Sequence, residues 1–433
     1  MNAPIWQKPD SVIDPQLMQF LAGEDVVLDR ELFAFDIEAS QVHARGLARI
    51  GLLSHGDADT LIAALGELRD DFNAGRYRLA APFEDGHSAI EAWLTERLGD
   101  LGRRIHTGRS RNDQVLVAQR LYLRDRLQRL AHQVHALAAL CLRRASDDAS
   151  LPMPGYTHLQ RAVVSSTAMW WAGYAETFYD SAALALRTRD WINANPLGTA
   201  AGYGVNLALD RDYTTAALGF DRLQVSPIAA QLSRGKYEWQ ALAALTTSLQ
   251  DVRRAAWDLS LFGSTEFGFV RIEPQFTTGS SLMPNKRNPD VVELLRAAPA
   301  VALGAMNELA AISSLPSGYH RDQQAGKAPL LRAFAQGLQS LQVAEALLAA
   351  ISWNAGAMRA AIDAGMYATD IAMELAQSGV PFREAYARAA NPQLWQGRDD
   401  PEASLAARVS PGGAACPRLD VLRSRLAQLA SAM

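Results

Sequence analysis

Residues Gly235–Gly263 read GKYEWQALAALTTSLQDVRRAAWDLSLFG. Between the two glycines, Trp239, Leu242, Leu245, Leu249, Val252, Ala256 and Leu259 recur at steps of three and four. That period predicts one unbroken helix with a coiled-coil-like apolar seam. Upstream, no Gly or Pro occurs between Gly108 and Pro152, and Val115, Leu121, Leu127, Leu130, Val134, Leu137 and Cys141 fall on one helical face. Arg161–Arg189, Asp290–Ile312 and Pro329–Ile351 are further long candidates; the last carries Leu330, Phe334, Leu338, Leu341 and Leu348. Five long helices with few strand-like alternations predict an all-α bundle. The expected division is an N-terminal helical domain over 1–108, a central long-helix bundle over 109–355 and a small C-terminal helical domain over 356–433. Asp29–Asp71 and Ser88–Leu98 are the N-terminal helical stretches, and Asn391–Pro417, rich in Pro, Gly and polar residues, reads as a loop or mobile segment.

Composition narrows the function classes. The 433 residues would by length alone suggest two to four domains, and 49% apolar content excludes a disordered chain. Forty-two Lys and Arg against 46 Asp and Glu leave a net charge of −4, which argues against a nucleic-acid coat or a membrane-surface protein. Two cysteines, Cys141 and Cys416, exclude a disulfide framework and a cysteine zinc site. Met1–Asp10 lacks a basic start followed by an apolar run, and no stretch of membrane-spanning length follows. The expectation is a soluble cytoplasmic protein with no nucleic-acid or membrane partner.

Long helices joined by polar, glycine-rich connections put the chemistry in the connections. In His106–Gln114, HTGRSRNDQ, the residues Ser110, Asn112 and Asp113 are candidate N-caps. Arg109 and Arg111 beside a helix N-terminus form a ready anion site, although a capped start with solvated arginines would read the same. In Pro154–Gln160, Thr157 and His158 precede an apolar run, so Thr157 could simply cap a helix. In Thr277–Asp290, TTGSSLMPNKRNPD, Gly279 and two prolines forbid a continuous helix, while Ser280, Ser281, Lys286, Arg287 and Asn288 offer hydroxyls, cations and an amide. Such a loop can present donors to a carboxylate and can move, and it lacks the Walker phosphate-loop spacing. Tyr319–Lys327 supplies a phenol, an amide and cations between two long helices.

The run GSSLMPNKRNP over Gly279–Pro289 closely resembles the signature of the fumarase/aspartase superfamily. His106–Gln114, the Gly155–Gln160 segment and the Tyr319, Gln324, Lys327 spacing resemble the argininosuccinate lyase family in particular, with all segments in family order between Glu24 and Ala387. The resemblance implies a fumarase/aspartase-like all-α fold, a homotetramer around a twenty-helix core, and active sites shared between subunits. It implies that argininosuccinate is split into arginine and fumarate by β-elimination, in arginine biosynthesis and without a cofactor. Carried over residue by residue, it implies Ser280 as base and Lys286 and Asn288 on the carboxylate that gains charge. His158 becomes the acid, with Glu293 orienting the imidazole or a water. Substrate contacts carry over as Asn112, Thr157, Ser281, Tyr319, Gln324 and Lys327, with Arg109 and Arg111 fitting a carboxylate-rich ligand.

Two departures stand out. The family usually has a serine where this chain has Asp25, and Val225–Tyr237 keeps Arg234 but lacks the family's neighbouring aspartates. Both bear on how the arginine-like half is held, not on the elimination. The alternatives are a related fumarate-releasing lyase acting on adenylosuccinate or a modified argininosuccinate, and a non-catalytic protein on the same scaffold, as in the lens crystallins.

Overall fold

The computed structural model describes residues 15–80, 83–148 and 150–433; the Met1–Asp10 stretch read above lies outside them. The fold is all-α. Helices Arg111–Asp147 and Lys236–Phe262 run without interruption for 37 and 27 residues, as the breaker spacing predicts. Leu242, Leu245, Leu249, Val252, Ala256 and Leu259 are all buried, whereas Trp239, at the start of the same stripe, is 40% exposed. Four two-stranded ribbons are the only sheets among the described residues.

Several boundaries differ from the periodic reading, each for a local reason. Arg161–Arg189 is not one helix: Gln160–Ser166 is a strand paired antiparallel with Pro152–Thr157, and the helix is Thr167–Ile192. Two adjacent β-branched residues, Val163 and Val164, favour the extended state, and prolines at 152 and 154 keep the partner strand out of a helix. Asp290–Ile312 divides into Asp290–Ala297 and Pro299–Ile312, because Pro299 has no N–H to continue the ladder. Asp29–Asp71 divides into Phe33–Arg49 and His55–Asn73 at Gly51, whose φ is +76°, and Ser54, whose hydroxyl accepts the Asp57 N–H. The helix expected over Pro329–Ile351 is Lys327–Ala349, after which Ile351–Trp353 pairs with Val270–Ile272. Asn391–Pro417 is not wholly irregular: Asp400 caps a short helix, Pro401–Ala406.

The chain forms two compact units. The first comprises Met1–Arg129, Ala185–Leu245 and Val301–Ala335; the second comprises Leu130–Leu184, Thr246–Ala300 and Gln336–Met433. In the first, helices Phe33–Arg49, His55–Asn73 and Gly86–Leu98 enclose a core that includes Ile37, Leu47, Leu61, Leu65, Leu68 and Leu94, all at most 1% exposed. Each fully buried Leu or Ile contributes about 1.5–3 kcal/mol, so this core fixes the start of Gly86–Leu98 firmly. In the second unit, Met153 packs with Phe269 and Met358, and Val164 with Met366, Tyr367 and Leu405. These contacts anchor the root of the Pro152–Ser166 hairpin and leave its tip in solvent.

Candidate active site

In the first unit the helix from Arg111 begins with a reciprocal cap. The Ser110 hydroxyl accepts the Asn112 N–H at 3.3 Å, and Asp113 Oδ1 accepts the Ser110 N–H at 2.9 Å. Asp113 Oδ2 also accepts the N–H groups of Gly198 and Ala200, so one buried carboxylate ties the helix start to a distant loop. Of the three candidate caps, Ser110 caps the helix, Asp113 returns the bond, and Asn112 is left for other work.

That helix start opens on a cavity of about 160 Å³ lined by Asp25, Asp29, Asp85, His87, Arg111, Asn112, Arg234, Tyr319, Arg321, Gln324 and Lys327, among others. Five of the predicted binding residues (Arg111, Asn112, Tyr319, Gln324 and Lys327) therefore share one cavity. Arg109 is not among its lining residues. Its guanidinium is buried and Nη1 donates to Ser40 Oγ at 2.9 Å.

The cations expected in these connections are matched by acids from elsewhere in the chain. Arg111 pairs with Glu84 and Asp85, and Arg321 Nη2 meets Glu84 Oε1 at 2.7 Å. Lys327 Nζ lies 2.6 Å from Asp29 Oδ1 and 3.1 Å from Asp25 Oδ1. Burial alone would lower the Lys327 pKa, but Asp29 and Asp25 outweigh it and keep the ammonium charged. Asp29 Oδ2 also accepts the Gly86 N–H at 2.8 Å. A Cβ at Gly86 would sit 3.3 Å from the Phe33 ring and 3.4 Å from Asp29 Cβ, so glycine permits this approach.

Asp85 caps Gly86–Leu98 through the Ser88 N–H. Burial raises its pKa, but His87, Arg111 and the Ser88 bonds prevail and hold it at about 2. His87 Nδ1 is bound to Asp36 Oδ2 at 2.5 Å, and its Nε2 is buried with no partner. Burial opposes the charge on His87, yet Asp36, with Asp85 and Asp29, raises its pKa. Sequence reasoning missed Glu84, Asp85 and His87 as site residues. The acidic pair just ahead of the periodic run from Ser88 was the available signal for a cap, but nothing in it points to Arg111 or Arg321.

The second unit holds the other predicted residues. Thr157 and His158 do not cap a helix; they form the tip of the hairpin, with Thr157 opposite Gln160. His158 and Leu159 have φ of +54° and +59°, the double left-handed geometry of a two-residue turn, which costs each about 1–2 kcal/mol. Their side chains, with that of Thr157, are exposed. The hairpin thus holds a hydroxyl and an imidazole outward on a strained turn.

In the Thr277–Asp290 connection, Thr278 and Gly279 pair antiparallel with Asn288 and Arg287, closing a loop over Ser280–Lys286. Ser280 Oγ accepts the N–H groups of Met283 at 3.0 Å and Leu282 at 3.3 Å. Ser281 and Lys286 are exposed, and Asn288 Nδ2 reaches back to the Gly279 carbonyl at 3.5 Å. Glu293 stands in the first turn of Asp290–Ala297, half-exposed, with Arg296 Nη2 at 3.6 Å. No hydrogen bond joins Glu293 to His158 among the described residues. Nor does any group of three or more His, Cys, Asp or Glu there stand where it could hold a metal ion.

A family model described as lyase matches residues 14–304. Argininosuccinate lyase of Stenotrophomonas maltophilia (strain R551-3) is 59% identical over 423 residues, covering 97% of this chain and 98% of that protein. Argininosuccinate lyase of Xanthomonas campestris pv. campestris (strain B100) is 59% identical over 427 residues, covering 98% and 99%. The chain belongs to the argininosuccinate lyase family. Solved structures similar to it include an EDDS lyase in complex with formate (TM-score 0.78, 23% identity, 98% of this chain and 93% of that one). A class II fumarase from Schistosoma mansoni is similar too (TM-score 0.75, 15% identity, 93% and 96%). At those identities the likeness is one of fold.

Proposed function

We propose that this chain cleaves argininosuccinate to arginine and fumarate by β-elimination. The near-full-length likeness to argininosuccinate lyases at 59% identity carries this reading. The reaction is redox-neutral: a C–H and a C–N bond break, a C=C bond forms, one proton goes to a base and one to the departing nitrogen.

Ser280 is the base in this account. A serine removes a carbon-bound proton only as an alkoxide, and an alkoxide needs fixed donors. The Leu282 and Met283 N–H groups already converge on its Oγ, which supports the assignment. Lys286 and Asn288 meet the carboxylate adjacent to the carbanion as it gains charge. Lys286 makes no ion pair among the described residues, so its charge is available. His158 protonates the leaving guanidine nitrogen from the hairpin tip, with Thr157 beside it on the substrate. Glu293 completes the acid by orienting the imidazole or a water.

These roles belong to a homotetramer with sites shared between subunits. Among the described residues of one chain no hydrogen bond joins His158 to Glu293, and in this reading a residue from a neighbouring copy supplies the missing contact. Trp239 and Trp257, 40% and 48% exposed on Lys236–Phe262, support burial of this helix against other copies. No described helix is long and apolar enough to cross a membrane, and a cytoplasmic location agrees with the reading.

A direct test supplies purified protein with argininosuccinate and, separately, adenylosuccinate, following fumarate by ultraviolet absorbance. Fumarate from argininosuccinate alone is the expected result. Release from adenylosuccinate alone, or from neither, would refute the assignment.

A further inference from the structure

Asp113 does more than answer a helix cap. Its side chain is fully buried, and its two oxygens serve different parts of the first unit. Oδ1 accepts the Ser110 N–H at 2.9 Å, and Oδ2 accepts the N–H groups of Gly198 and Ala200 at 2.9 and 3.0 Å. The helix on one side is a wall of the cavity, through Arg111, Asn112, Val115 and Gln119. The loop on the other side is not, for none of residues 196–204 lines that cavity. The loop is nevertheless built to stay in place. The Thr199 carbonyl accepts the N–H groups of Gly202 and Gly204, both at 3.0 Å, and the Thr199 hydroxyl donates to the Pro196 carbonyl at 2.8 Å. Arg211 Nε donates to the Leu197 carbonyl at 2.9 Å, and its Nη2 to that of Gln224 at 2.8 Å. Two left-handed residues, Gly198 at φ +85° and Ala200 at φ +50°, flank Thr199, and the N–H groups of both converge on one carboxylate oxygen. Glycine takes that geometry freely; alanine takes it at a cost.

Strain of this kind persists only where the surroundings over-determine it, and here it sits in a loop with no place on the cavity wall. The loop is an abutment for the helix that has one. We propose that Asp113 is a positioning residue for substrate binding: it seats the first turn of Arg111–Asp147 against the strained Gly198–Ala200 turn, and so sets Asn112 where the substrate meets it. This rests on the reading that argininosuccinate is the substrate and Asn112 one of its contacts. A small shift of the helix start is enough to matter, since a misplacement of about 1 Å can cost about 10²-fold. Position 200 then controls that start from a distance, without altering the cavity, the cap or the carboxylate. A side chain that tolerates the left-handed region less well than alanine draws the Ala200 N–H off Asp113. One that tolerates it better leaves the contact whole.

The test measures KM and kcat for argininosuccinate, by fumarate release, in the wild-type protein, Asp113→Asn, Ala200→Val, Ala200→Asn and Ala200→Gly. An amide has one acceptor oxygen where the carboxylate uses two, so Asp113→Asn should raise KM about tenfold and leave kcat within about threefold. A merely structural role would lower the active fraction, and with it kcat, and leave KM alone. Ala200→Val, whose β-branched side chain makes the left-handed region an outlier, should raise KM about tenfold as well. Ala200→Asn and Ala200→Gly enter that region readily and should stay within about threefold of wild type. Asn and Val are of comparable size, so this pair separates strain from crowding. Asp113→Asn combined with Ala200→Val should raise KM no further than the larger single effect, because both act on one contact. If Asp113→Asn folds poorly, the series at position 200 decides. A KM unmoved by Ala200→Val, or moved as far by Ala200→Asn, overturns the proposal and leaves the lyase reading standing. A wild-type protein that releases no fumarate overturns that reading, and the proposal with it.

Discussion

His106 opens the His106–Gln114 segment, and its surroundings disfavour the charged imidazole. Burial, then the charges of Arg109, His87 and Arg111, lower its pKa to about 4. In the unfolded chain it titrates near the ordinary value, about 6.5. Between those values the unfolded state takes a proton that the native state refuses, so stability is complete above pH ~6.5 and falls as pH drops toward 4. Asp85, held at about 2, adds a second loss below its unfolded value, as pH falls from about 4 toward 2. The His106 contribution to the urea midpoint at fixed protein concentration is therefore expected to drop from pH 7 to pH 5, against the raised values of His87 and Asp251, which work the other way. His106→Asn should recover about 1 kcal/mol of that difference after allowance for partial exposure. An equal drop in the variant would show that the proton is taken elsewhere. The segment reads in the sequence as a candidate anion site. Its charge balance does not show there, because Glu84 and Asp85 lie some two dozen residues upstream of Arg111 and about 240 from Arg321.

At the scale of elements, the long helices were readable because their seams are periodic and uninterrupted by Gly or Pro. What escaped was set by contacts that periodicity does not encode. The 161–166 run keeps an acceptable helical pattern and becomes a strand through its pairing with 152–157 and the anchoring of Met153 and Val164 in two different clusters. The cap at 110–113 was legible as chemistry but not as a tie: Asp113 also receives Gly198 and Ala200, more than 80 residues away. Asp113→Ala removes three backbone bonds to one buried carboxylate and strands their N–H groups. It is expected to destabilise the protein by about 3 kcal/mol or more, since each such loss costs about 1–3 kcal/mol. Asp113→Asn, which retains one acceptor oxygen, should lose less. Chemical denaturation of the two variants checks the order, and equal losses would contradict the three-way tie.

At the scale of the molecule, the residues proposed for elimination and those lining the cavity fall in separate compact units. That separation explains why the motifs were conspicuous along the chain and the site was not. Each motif is contiguous, whereas the cavity draws on Asp25, Asp85, Arg111, Arg234 and Lys327, spread over 300 residues. A net charge of −4 concealed both the cations in the connections and the acids that pair with them. The Ser280 loop is different in kind: its serines, lysine and amide lie within nine residues, and the fold adds the strand pairing that closes it and the pair of N–H groups on Ser280 Oγ. The account stands on that atom. Fumarate release from saturating argininosuccinate, measured side by side for wild type, Ser280→Ala and Ser281→Ala, tests it most directly. The prediction is a loss of about 10²–10⁴ in kcat for Ser280→Ala with the fold intact, and a smaller loss for Ser281→Ala. A folded Ser280→Ala protein that kept most of its activity would contradict the account.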